Sequence, residues 1–214
     1  MSRGVAMAGW VGCNIVPVLC AALLVAALAP WATDSSTGVA AHVTLLAGAA
    51  VLQGAWVARV GVSGWRWAAY TLAGVLAGGV LGIAMLITLD GAGYETLGSL
   101  LGVGAFGLGM SVAQWRVIRR SAGIRSTWAA WWVPASVAGW VAGAAVWGLV
   151  WRSVAVRNAV DGLLPFFAPD VLVGSNEVSL LATALACYAA ATAVVAGRLF
   201  GVGHRAAAST PPAP

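Results

Sequence analysis

The sequence predicts an all-α polytopic membrane protein, a bundle of about six transmembrane helices containing internally repeated helical hairpins. Three observations predict it. Hydrophobic residues make up 61% of the 214-residue chain and charged residues 8%, with a mean hydropathy of +0.93, so the bilayer is the solvent for most of its surface. All six acids, Asp34, Asp90, Glu95, Asp161, Asp170 and Glu177, fall in three gaps between long apolar stretches. Nine of the eleven arginines fall in the alternate gaps or the tails. Arginine beside a spanning helix is retained on the cytoplasmic side, so this alternation orients six spans with both ends of the chain on that side, and a bacterial cytoplasmic (inner) membrane is the expected location.

The spans are expected at roughly 10–30, 38–59, 66–89, 95–117, 128–150 and 178–200, each about long enough to cross the hydrocarbon core. The six-helix transmembrane domain then occupies 1–203, with no room for a separate soluble domain. The first span ends in Ala27-Leu28-Ala29, which has the form of a signal-peptidase site. Pro30 directly after it disfavours cleavage, so the span is expected to stay as an anchor. Arg3 lies inside and Asp34 outside. Arg59 and Arg66 mark the inner turn between spans two and three, and Asp90 and Glu95 the outer turn between three and four. Arg116, Arg119, Arg120 and Arg125 lie inside before span five, and Arg198 and Arg205 close the pattern after span six.

Only Arg152 and Arg157 fall outside, in a loop of roughly 151–177 that also carries three acids. Its Leu163-Leu164-Pro165-Phe166-Phe167-Ala168-Pro169 run is apolar but broken by two prolines, so it is expected to lie on the outer surface or to dip into it. Arg152, Arg157 and Asp161 would form the polar face of a short interfacial helix before it. The tail, 204–214, ends in Pro-Pro-Ala-Pro and is expected to be a disordered cytoplasmic segment. The net charge of +5 comes entirely from arginine, there being no lysine. Arg59, Arg66, Arg116, Arg119, Arg120 and Arg125 sit where anionic headgroups lie, so lipid is the expected partner and nucleic acid is not.

Twelve tryptophans are far more than ordinary usage. Trp31, Trp65, Trp67, Trp128, Trp131, Trp132 and Trp151 fall near helix ends, which predicts an aromatic belt at the headgroup boundary. A pigment or quinone packed on the rings is the sharper alternative, so the cofactor is left open. Glycine recurs every fourth residue at Gly74, Gly78 and Gly82, at Gly98 and Gly102, and at Gly139 and Gly143. Such stripes let helix backbones approach closely, within the chain first and between copies second.

Spans two and three can be laid over four and five. Gln53, Trp56 and Arg59 precede Trp65-Arg66-Trp67, Gly74 and Gly78, just as Gln114, Trp115 and Arg119 precede Trp131-Trp132, Gly139-Trp140 and Gly143. The two units share one orientation and form a parallel repeat. Spans six and one run in the directions of a third such hairpin, split between the chain ends, which requires them to be neighbours. The best-preserved unit, Gln114-Trp115-Arg116-Val117-Ile118-Arg119-Arg120 followed by Trp131-Trp132 and Gly139-Trp140-Val141-Ala142-Gly143, resembles an uncharacterised family of bacterial multi-span membrane proteins with repeated Gln-Trp…Arg-Arg and Trp-Trp…Gly-Trp-x-x-x-Gly hairpins. The small-residue run Ala186–Ala193 is similar to that family's last helix. The resemblance implies the fold and no established activity.

No constellation carries recognisable chemistry. Every acid lies in a loop or at a span boundary, which counts against a proton-coupled pump. Cys13, Cys20 and Cys187 lack the Cys-x-x-Cys spacing or nearby histidine that a zinc or iron-sulfur site needs, and no Ser-His-Asp set shares one membrane face. Neither metal nor catalytic residues are expected. The intramembrane polar candidates are Asn14, His42, Gln53 and Gln114. His42, near the outer end of span two, reads as a snorkelling or hydrogen-bonded imidazole. Gln53 and Gln114 occupy matching places above the inner arginines, where an amide must find a partner. Bonding to each other across helices is the economical role and a substrate site the alternative. The resulting expectation is a non-enzymatic structural or accessory subunit, packing with other membrane proteins or as a homo-oligomer. A transporter or channel for a small, weakly polar or apolar solute comes second.

Overall fold

The computed structural model describes residues 2–28, 36–121, 127–152 and 169–201. Six α-helices account for nearly all of them: α1 (Arg3–Leu28), α2 (Ser36–Ala58), α3 (Gly64–Asp90), α4 (Glu95–Arg120), α5 (Trp132–Arg152) and α6 (Pro169–Phe200). A 3-10 turn, Thr127–Trp131, leads into α5.

Two of the turns are set by glycine. After α2, Gly61 takes φ 85° and the backbone closes with Val62 N–H donating to the Val57 carbonyl at 3.1 Å. After α3, Gly93 takes φ 81° and Tyr94 N–H donates to Leu89 at 2.8 Å. Both are the left-handed C-terminal cap that a residue without Cβ adopts most cheaply. Val57 and Val62, the flanking pair of the first cap, are both buried, so this cap also contributes to the core.

Successive helices lie side by side from α1 through α6, and α6 packs against both α1 and α2. The bundle is therefore a closed ring, and the first and last helices are neighbours. Close backbone approach occurs in three of the seams, and in α2–α3 a Cβ at Gly54 would sit 2.6 Å from the Gly64 carbonyl oxygen. A Cβ at Gly74 would sit 2.5 Å from the Gly109 carbonyl oxygen, and one at Gly82 2.6 Å from that of Gly102, so α3 and α4 touch backbone to backbone. A Cβ at Gly139 would sit 2.6 Å from the Tyr188 Cα, and Gly143 lies against Ala184, which brings α5 equally close to α6. In lipid, where apolar burial between helices gains little, such close van der Waals approach supplies much of the association.

Five helical segments are long and apolar enough to cross a membrane: Arg3–Ala21, Gly64–Asp90, Thr96–Arg120, Thr127–Leu149 and Leu180–Phe200. Within α2, the stretch His42–Ala58 is apolar as well. Exposed Leu76, Val80, Ile83 and Ile87 follow one another along α3 at alternating steps of four and three, the surface a lipid-facing helix presents.

Two boundaries differ from the sequence expectation. Helix α1 begins at Arg3 rather than near residue 10, because Gly4 to Gly9 carry no charge and Ala6 is already buried. Helix α6 begins at Pro169, well before residue 178. Proline suits the first helical position because its missing N–H would have no helical partner there. Asp170 and Glu177 are consequently helical and not in a loop. At about 1.5 Å per residue, the 32 residues of α6 exceed the roughly 30 Å hydrocarbon core. Trp31, Asp34, Arg125, Arg157, Asp161, the Leu163–Ala168 run and the 204–214 tail lie outside the described residues.

The α3–α4 seam yields a paired prediction. Gly78→Val, whose Cβ would meet the Phe106 carbonyl oxygen at 2.7 Å, should lower stability in detergent by about 1–3 kcal/mol through overpacking, while Gly79→Val, which has nothing within 4 Å, should be near neutral. Thermal denaturation followed by size-exclusion recovery ranks the two. Equal sensitivity would mean that the seam does not hold the pair together.

Candidate functional site

Three of the four polar candidates meet in one place. Asn14, Gln53 and Gln114 are buried to 1% exposure or less, on α1, α2 and α4. Gln53 donates from Nε2 to Asn14 Oδ1 at 2.7 Å, and Gln114 donates from Nε2 to Gln53 Oε1 at 3.0 Å. The cross-helix pairing expected of the two glutamines is thus present, with Asn14 extending it to the first helix.

Gln114 is the hub. Its Nε2 also donates to Thr71 Oγ1 at 3.1 Å, and its Oε1 accepts from Trp132 Nε1 at 3.1 Å and from the Tyr188 hydroxyl at 3.0 Å. An amide has two donor hydrogens and two acceptor lone pairs, so all four capacities are used. Gln53 Oε1 additionally accepts from Trp67 Nε1 at 3.1 Å. Asn14 Nδ2 returns to the Trp10 carbonyl at 2.8 Å, and Trp10 Nε1 donates to Thr192 Oγ1 at 2.8 Å. Thr192 in turn donates to the Tyr188 carbonyl at 2.6 Å. The bonds run from Trp10 through Thr192, Tyr188, Gln114, Gln53 and Asn14 back to Trp10, on α1, α2, α4 and α6, and Trp67 and Thr71 of α3 and Trp132 of α5 bond into this circuit.

The indoles that feed this circuit touch one another. Trp10, Trp67 and Trp132 are fully buried, with ring centroids 5.1, 5.6 and 5.9 Å apart and interplanar angles of 72°, 80° and 87°. Edge-to-face pairs of this kind add about 0.5–1.5 kcal/mol each beyond their burial. Trp56 and Phe200 pack on the same cluster. This corrects the aromatic-belt expectation for Trp67 and Trp132, which are core residues whose N–H groups find amide oxygens. Trp65 and Trp131, their exposed neighbours at 71% and 60%, do face outward.

One sequence signal could have found the core tryptophans. Trp10 precedes Asn14 by four residues, Trp67 precedes Thr71 by four and Trp132 precedes Ser136 by four, each pair being one turn apart on the same helix face. All six side chains are buried. Asn14 and Ser136 both bond back to the carbonyl of the tryptophan one turn earlier. Periodicity within a uniformly apolar helix hides such a face, because there is no polar side to contrast with it.

His42 lies on α2 eleven residues before Gln53, about 16 Å along the helix, and takes no part in the cluster. Gly74 and Gly78 belong to the α3–α4 seam, and Gly139 and Gly143 to the α5–α6 seam. Arg59, Arg66, Arg116, Arg119 and Arg120 are exposed at the bundle end nearest the indoles. Three guanidiniums lie over indole rings there: Arg66 over Trp65 at 5.4 Å, Arg119 over Trp115 at 5.0 Å and Arg198 over Trp128 at 5.2 Å. Such pairing lets a cation sit beside an aromatic surface at the membrane boundary. Among the described residues, no group of three or more His, Cys, Asp or Glu side chains could hold a metal ion.

Comparison with known proteins returns no match to any family model, curated protein or solved structure. The cluster contains amides, hydroxyls and indoles but no group that ionises near neutral pH, and its donors and acceptors are turned toward each other.

Gln114→Leu should strand Trp132 Nε1 and the Tyr188 hydroxyl and destabilise the protein by about 1–3 kcal/mol. A double-mutant cycle between Gln53→Leu and Gln114→Leu, read by reversible unfolding in mixed micelles, should return a coupling of about 0.6–1.7 kcal/mol, the range for hydrogen-bonded pairs in membranes. Strict additivity would show that the two amides do not interact.

Proposed function

We propose that this chain is a non-enzymatic structural or accessory subunit that packs within a larger membrane assembly. The observation that carries the reading is how its buried polar side chains are used. Asn14, Gln53, Thr71, Ser111, Gln114, Ser136 and Thr192 are uncharged, and each bonds to another group of the same bundle. An interior of this kind makes the helices cohere. Intramembrane transport paths are normally marked by ionisable residues, which this cluster lacks.

The exposed ridge of Leu76, Val80, Ile83 and Ile87 on α3 supports the same reading, since its four-three spacing is also that of a helix-packing seam. Other membrane subunits or a second copy are the partners it suits. The proposal places the protein in a bacterial cytoplasmic membrane with both termini inside, because the exposed arginines gather at one end of the bundle. Retention of α1 as an anchor belongs to this reading, since Trp10 and Asn14 close the hydrogen-bond circuit.

We also infer that the bundle consists of three copies of one hairpin, α2–α3, α4–α5 and α6–α1. In each, the second helix's tryptophan donates to a polar side chain of the first: Trp67 to Gln53, Trp132 to Gln114 and Trp10 to Thr192. The same arrangement supports the alternative of passage for a small, weakly polar or apolar solute, since repeated hairpins around an axis are a common transporter plan. That alternative requires the three indoles to part.

Extraction from native membranes through a C-terminal tag, followed by size measurement and mass spectrometry, should recover a stoichiometric partner or a second copy. A lone monomer, together with solute uptake abolished by Gln53→Leu in folded protein, would replace the subunit reading with the transport one. Protease added to right-side-out vesicles should leave the tag intact, whereas its removal would reverse the topology.

A further inference from the structure

We infer that the α3–α4 hairpin carries a specific site for one anionic glycerophospholipid, with its phosphate at the arginine end and one acyl chain lying between the two helices. Two adjoining hollows make the site. The first, about 300 Å³, lies between the start of α3 and the end of α4 and presents Arg66, Arg120, Tyr70, Ser63 and Ser121. The second, about 430 Å³, is a groove running from Tyr70 and Arg116 up the seam, floored by Gly74, Gly78 and Gly109 and flanked by Ala73, Ala77 and Leu81. Tyr70 lines both, so polar cleft and apolar groove adjoin at its side chain.

The side chains are arranged for an anion at one end only. Arg120 Nη1 donates to the Tyr70 hydroxyl at 3.2 Å, which places the guanidinium across the junction of the two hollows. Arg66 lies over the Trp65 ring at 5.4 Å on the opposite wall. The lining of the cleft includes two cations, two serine hydroxyls and no carboxylate. Guanidinium pairs bind phosphate with directional hydrogen bonds, and at a membrane surface the phosphates to hand are those of lipids. The glycines let α3 and α4 touch, and the small side chains of Ala73, Ala77 and Ala113 beside them leave the outer side of the seam open as a groove. Ala73 and Ala77 on its rim are exposed, so it opens toward lipid. The occupant implied by charge at one end and a bare apolar channel at the other is a two-part molecule with an anionic head and a hydrocarbon tail. This site rests on the membrane placement of the helices and is independent of the subunit proposal.

Native mass spectrometry of delipidated protein titrated with phosphatidylglycerol, and separately with phosphatidylcholine of the same chains, tests it. Wild type should take up one phosphatidylglycerol preferentially. Arg66→Gln and Arg120→Gln should each weaken that first adduct by roughly five-fold, in line with one arginine's attraction to an anionic lipid. Ala77→Leu, which fills the groove at an exposed position without altering charge, should weaken it as well. Arg198→Gln, at the same end but outside both hollows, should not. Circular dichroism verifies that each variant is folded. Equal uptake of the two lipids, or equal losses with Arg66→Gln and Arg198→Gln, would reduce the site to general surface charge. An unchanged first adduct in Ala77→Leu would remove the acyl groove.

Discussion

An amide placed in hydrocarbon must be hydrogen-bonded, because no water is there to replace a missing partner. Gln114 meets that requirement four times over, using α2, α3, α5 and α6, and Gln53 meets it through α1, α3 and α4. The position of each helix around the ring is tied to these two side chains. Apolar packing alone specifies a membrane bundle poorly, since lipid tails compete equally well for a leucine. A buried amide cannot be traded for lipid in that way, so it selects one register among many that pack comparably.

Glycine and tryptophan divide the remaining work by location. At Gly74, Gly78, Gly139 and Gly143, α3 and α5 lie against the helices that follow them, with backbone meeting backbone. Nearer the arginine end, Trp67, Trp132 and Trp10, the largest side chains available, pack against one another in the core. The aromatic filling also positions N–H donors against amide and hydroxyl oxygens that would otherwise be unpaired.

Much of this was legible in the chain, for physical reasons that can be named. Charge in the gaps and length between them identify helices, because the bilayer penalises charge strongly over a fixed thickness. The glutamines stood out as intramembrane amides and do bond to each other. What could not be seen was which tryptophans face inward: Trp65 and Trp67 are two residues apart, and only the three-dimensional neighbours make one a surface residue and the other a core donor. The start of α6 was hidden for a different reason. Two prolines suggest a broken segment, yet the second of them, Pro169, opens a helix instead of ending one.

The central claim, that three buried indoles donate into an amide-centred core, is tested most directly by hydrogen exchange at the tryptophan side chains. Two-dimensional NMR of ¹⁵N-indole-labelled protein in micelles, transferred to D₂O, should retain the Trp10, Trp67 and Trp132 Nε1–H signals long after those of exposed Trp65 and Trp131 have vanished. Loss of the Trp67 and Trp132 signals at the rate of Trp65 would show that these indoles are not held in the core, and the hydrogen-bond circuit would fall with them.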